Sequence, residues 1–261
     1  MTTINPSPYI GSFCTMVNVN SRFASYDFCY GYFQQNKGRL SNNMEHSCYV
    51  LFSYLASWGM LRGSSPLLQY SPAVLTELIT HFDSIKVKDS PIWNLDVPDY
   101  THADNIQIII NERNEIRNIL TSILNTAVGG TISLADNEGI NTSGNTKTKK
   151  YVPTDTLVTK IMLGVFGVVP AFDRYFQQAF HTLYPKTSFN KFSKESLNAI
   201  LSFYHSNKPI LDSITIPVIY FSGKPISLNY KVAKLIDMFG FMYGRELSKV
   251  NHSTITNTSR P

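Results

Sequence analysis

The chain has 261 residues, 43% of them hydrophobic and 13% aromatic; this suits one large or two small domains with a sizeable core and excludes a disordered chain. Only 16% are charged, so Asn, Ser and Thr must cover much of the surface. The formal charge of +5 is uneven: residues 1–150 hold 11 Lys/Arg against 12 Asp/Glu, whereas residues 151–261 hold 12 against 6. A basic excess of that kind favours a polyanionic partner, either nucleic acid or an acidic membrane surface, although a merely basic surface has the same composition.

Cys14, Cys29 and Cys48 stand far apart with no CxxC pair, and His81, His102, His181 and His205 are scattered, so the sequence implies neither a metal site nor a cofactor. A P-loop and a G-x-S-x-G elbow are both missing, which argues against an NTPase and a serine hydrolase. The first residues, MTTINPSPYIGSF, lack the basic start and apolar run of a signal peptide. No apolar stretch approaches the roughly 18 residues that span a bilayer. The expectation is a cytoplasmic protein without a membrane partner.

In chain order, Met44 to Met60 repeats apolar residues at helical steps, through Val50, Leu51, Tyr54, Leu55 and Trp58. A shorter helix is expected from Pro72 to Phe82, with Ser71 as N-cap. Thr101 to Ala127 carries a long stripe of Ile and Leu that Gly129–Gly130 ends. Residues 129–150, rich in Gly, Asn, Ser, Thr and Lys, read as a mobile link between an N-terminal helical region, residues 1–128, and a basic C-terminal region, residues 151–261. Thr154 to Val169 starts with a capping Thr and is soon apolar on every face, which places it at the centre of a core. Pro170 should break it and open the next helix, Ala171 to Tyr184. Helices at Ser193–His205 and Tyr230–Phe241 follow, with a β-branched stretch, Ile214 to Phe221, whose Pro217 argues against a central strand. The tail from Asn251 should fray. The fold class is all-α, a compact multi-helix fold with at most minor β structure.

Two segments carry candidate chemistry. At the end of the Met44 helix, Arg62-Gly63-Ser64-Ser65 offers backbone N–H groups beside a guanidinium, suited to a phosphate; a glycine C-cap is the structural alternative. In the second, Lys160 enters an otherwise apolar helix, and Asp173 follows Pro170 with Arg174 beside it. Such a lysine either snorkels outward or sits desolvated as a nucleophile. Asp173 could face a developing cation, or could serve only its helix start.

The order lysine, apolar helix, proline, aspartate resembles the core of the helix-hairpin-helix DNA glycosylase superfamily. The likeness covers about twenty residues, and the Gly-x-Gly pattern that usually precedes the lysine is replaced here by Leu157-Val158-Thr159. It implies an all-α fold and base excision from DNA, with Asp173 stabilising an oxocarbenium ion and Lys160 as nucleophile or phosphate contact. It further implies a base pocket, for which Tyr54, Trp58, Phe172 and Tyr175 are candidates, with Arg174 beside the aspartate; from the residues themselves Arg62, Ser64 and Ser65 are candidate DNA contacts, and in a nucleic-acid-binding reading Lys147, Lys149 and Lys150 hold phosphates as well. A non-catalytic nucleic-acid-binding protein and a helical interaction protein stand as the alternatives.

Overall fold

The computed structural model describes residues 4–63, 65–86, 90–126 and 151–257. The expected mobile link, with Lys147, Lys149 and Lys150, and Ser64 lie outside these residues. The α-helices are α1 (Ser7–Cys14), α2 (Ser25–Asn36), α3 (Met44–Ser57), α4 (Thr76–Ser84), α5 (Ala103–Thr126), α6 (Asp155–Phe166), α7 (Arg174–Leu183), α8 (Lys194–Ser213) and α9 (Val232–Asn257). Strands β1 (Pro217–Ile219) and β2 (Pro225–Asn229) form an antiparallel hairpin between α8 and α9. The all-α expectation holds, and Pro217 occupies the first position of a two-stranded ribbon, where its missing N–H is tolerated.

Helix α6 is the centre. Every residue from Leu157 to Phe166 is buried, because α2, α3 and α5 pack around it. Its start is held twice. The Thr154 hydroxyl accepts from the Leu157 amide at 3.3 Å, and the Asp155 carboxylate pairs with Arg113 of α5 while accepting from the Phe192 amide. Its end comes at Gly167, φ +63°, three residues earlier than the apolar run suggests. A β-carbon at Gly167 would meet the Tyr30 ring at 2.7 Å, so glycine is required by conformation and by space.

Pro170 does not open α7, contrary to the sequence reading. Residues 167–173 form a strap along α6 whose polar backbone is satisfied from the side. Tyr100 donates its hydroxyl to the Val168 carbonyl at 2.5 Å, and Asp237 accepts from the Ala171 amide at 3.1 Å. Thr159 accepts from the Phe172 amide at 2.8 Å, and Thr156 donates to the Phe172 carbonyl at 2.8 Å. A buried strap without these partners would carry orphan peptide groups. Helix α7 begins only where the Asp173 side chain caps it.

Other boundaries also move. Ser71 supplies no side-chain cap, and Pro72–Leu75 is a 3-10 turn ahead of α4. Helix α8 runs past His205 to Ser213 with Pro209 inside it. Helix α9 continues to Asn257 instead of fraying at Asn251. The start of α9 is capped from far away: Asp96 accepts from the Val232 and Ala233 amides at 2.7 and 2.9 Å. Beside it the Lys231 ammonium donates to the carbonyls of Trp93, Leu95 and Phe166 at 3.0, 2.9 and 2.8 Å, thereby capping the end of α6.

Helices α7 and α9 cross at two glycines one turn apart. A β-carbon on Gly240 would reach the Phe176 ring at 2.5 Å, and one on Gly244 would overlap the Tyr175 backbone carbonyl. Backbone cannot rotate out of the way as a side chain can. Gly244→Ala should therefore cost about 3 kcal/mol or more in urea denaturation, beyond ordinary overpacking; a cost below about 1 kcal/mol would show that α7 can shift freely.

Burial lowers the Lys231 pKa to about 8 from its ordinary 10.5. Between those values the unfolded chain holds more protons at this site than the native chain, so its contribution to stability rises with pH. The stability difference between wild type and Lys231→Met should tilt toward wild type by on the order of 2–3 kcal/mol from pH 8 to 10.5. A difference independent of pH would refute the assignment.

Candidate functional site

The strap delivers Asp173 to Lys160. The Asp173 Oδ1 atom accepts from the Tyr175 and Phe176 amides, both at 3.0 Å, and so caps α7. Its Oδ2 atom lies 3.1 Å from Lys160 Nζ. The two residues that the sequence singled out thirteen positions apart therefore form one ion pair. Lys160 is only 3% exposed: its ammonium neither snorkels outward nor presents itself to a phosphate in solvent, which corrects the reading of it as a phosphate contact. Instead it sits 4.6 Å from the centre of the Trp58 ring, where a desolvated cation gains from the face of the indole.

A second buried pair lies alongside. Lys234 and Asp237, both on α9, are 2.8 Å apart. The Lys234 ammonium faces the rings of Tyr26, Phe13 and Trp58 at 4.5, 4.8 and 5.6 Å. The other Asp237 oxygen holds the Ala171 amide of the strap. From the solvent side, Arg22 covers the same Trp58 ring at 5.4 Å. The indole is thus surrounded by three cations, and its Nε1 is buried with no hydrogen-bond partner among the described residues. The Tyr26 hydroxyl is likewise buried without one. Neither Lys234 nor Asp237 stood out in the sequence, since a Lys and an Asp three apart on a helix usually mark a solvated face; the run of apolar residues around them was the available signal.

The other candidates are dispersed. Tyr54 is buried and fills the space at Gly164 of α6, where a β-carbon would meet its ring at 2.5 Å; burial holds its phenol well above the ordinary tyrosine range. Phe172 is not a pocket wall: it is fully buried and stacked with Phe176 at 5.3 Å, in an aromatic cluster that includes Phe189 and Phe192. Tyr175 packs edge-on against Phe241 at 5.2 Å, and Arg174 is exposed, lying over the Tyr175 ring. Arg62 is exposed and folds back against Gly59, which ends α3 with φ +78°. The Ser65 amide is committed to the Arg62 carbonyl and its hydroxyl to the Met60 carbonyl, so the phosphate nest read from the sequence lacks the Ser65 N–H. Among the described residues no three His, Cys, Asp or Glu are grouped to hold a metal, and no helix is long and apolar enough to cross a membrane.

Chemically, the arrangement is a carboxylate with one oxygen fixed by a helix start and the other by a buried ammonium. Removing one partner leaves the other charge buried. Asp173→Asn and Lys160→Met should each cost about 3 kcal/mol in chemical denaturation, and the double variant clearly less than their sum. Additive losses would show that the two charges do not depend on each other. Compared with protein-family models, curated proteins and solved structures, the chain matches none of them.

Proposed function

We propose that the protein is a DNA glycosylase that excises a damaged or modified base, in repair or in defence against foreign DNA, with Asp173 as its catalytic carboxylate. The observation that carries this reading is the Lys160–Asp173 pair at 3.1 Å, placed at the start of a helix and beneath an aromatic ring. A carboxylate held in a largely apolar setting by two amides and an ammonium is suited to a cation that develops in front of it. In base release the C1′–N bond breaks and its electron pair leaves with the base, which takes up a proton. The oxocarbenium ion at C1′ is stabilised by Asp173, and water adds to C1′ while losing its proton to the carboxylate or to solvent. Lys160, fully engaged by Asp173, acts as a positioning residue, which favours hydrolysis over strand nicking.

The burial of the same pair favours a second reading, a non-catalytic nucleic-acid-binding protein in which Lys160 and Asp173 only hold α6 to α7. One variant separates them. Duplex and single-stranded DNA carrying deaminated, alkylated or oxidised bases is incubated with protein, and abasic sites are counted. Asp173→Asn, measured below its melting range and corrected for its folded fraction by circular dichroism, should lose at least about a hundredfold of base release. Wild-type protein that releases none of these bases, or a folded Asp173→Asn with full activity, would sink the catalytic assignment.

A further inference from the structure

We infer that the groove between α2, α3 and the β1–β2 hairpin binds unpaired nucleotides of single-stranded DNA by stacking. It is a concavity of about 660 Å³, within the range of small-ligand sites. Half of the large hydrophobic side chains exposed among the described residues line it: Phe221 is 80% exposed, Tyr49 50% and Tyr220 48%. They come from two elements, the hairpin tip and α3, and are open to solvent. The tip is preorganised. Phe221 stacks on Phe28 of α2 with ring centres 4.1 Å apart and planes 11° apart, and the Tyr220 hydroxyl is bonded to the Gln35 amide at 2.8 Å. Aromatic area held rigid and left in water is what a base can cover, and every base has a face to offer.

Charge selects the partner. Arg22 is an exposed residue of the lining, and no carboxylate of the described residues lies within ion-pair distance of it. The acid in the lining, Asp27, is buried and turned inward, with its oxygens accepting from the Ile219 amide at 3.1 Å and the Tyr230 hydroxyl at 2.6 Å. The open surface thus carries a guanidinium and no exposed carboxylate, which fits a base joined to phosphate better than a neutral apolar ligand. At the floor, Tyr54 rests on Gly164, one helical turn from Lys160. The inference rests on the proposed DNA-directed function but not on its chemistry, since the groove would hold a strand whether or not Asp173 acts on it.

The test is fluorescence anisotropy of labelled oligo(dT) with the full chain at several salt concentrations. Phe221→Ala and Tyr49→Ala remove exposed rings and should each weaken binding by roughly five- to a hundredfold without changing the salt slope. Arg22→Gln should make the slope of log affinity against log salt shallower by about 0.7, the value for one phosphate of a single strand. Duplex of equal length should bind more weakly through this surface and be insensitive to the two aromatic substitutions. The inference fails if wild-type protein does not bind oligo(dT), or if both alanine variants bind as wild type does. It also fails if free thymidine monophosphate competes as well as the strand, or if vesicles of phosphatidylserine bind through the same residues instead. Folded Asp173→Asn should bind oligo(dT) as wild type does, so base release that survives that change would overturn the catalytic reading and leave the groove standing.

Discussion

A lysine buried in the central helix needs a negative charge, and much of the molecule is arranged around meeting that need. Without a partner the Lys160 ammonium would cost several kcal/mol where it sits. Asp173 meets the need, but only because the strap carries it back along α6, and the strap is tolerable in the interior only because Thr156, Thr159, Tyr100 and Asp237 satisfy its peptide groups. The same carboxylate then caps α7, so one side chain both sets the position of a helix and pairs with the buried ammonium. Helix α7 in turn lies against α9 at Gly240 and Gly244, which brings the Lys234–Asp237 pair beneath the same indole. These features form a chain of dependence, each requiring the one before.

The helices were legible because their apolar spacing is set by burial, and burial is what the core requires of them. Lys160 and Asp173 were legible for the opposite reason: each breaks a local rule, a charge inside an apolar run and an acid placed just after a helix-breaking proline. Where a residue can play two local roles, the sequence misleads. Pro170 can end one helix or begin the next, and here it does neither: α6 has already stopped at Gly167, and α7 waits for Asp173, which bonds its own following amides. Phe172 has the ring expected of a pocket wall, yet the rings of Phe176, Phe189 and Phe192 enclose it. The groove was not legible at all. Its exposed aromatic rings come from residues 49, 220 and 221, and nothing in local spacing says that α3 and the hairpin tip meet.

The two tertiary caps around α9 were equally hidden, because Asp96 lies 136 residues from the amide of Val232 that it accepts. A helix end that is completed by its own neighbours can form in an otherwise unfolded chain, whereas one completed by a distant carboxylate cannot. The first turn of α9 and the last turn of α6 are closed by groups from Asp96 and Lys231, so neither end is finished until the remote stretches of the chain have met. Loop closure over such distances comes before the reward of the contact. Folding should therefore be slow for a helical protein, and these two helix ends should open only with the whole structure. In hydrogen exchange the amides of residues 232 and 233 would then belong to the slowest class, beside the core of α6, although they lie at the start of a helix, where amides usually exchange first.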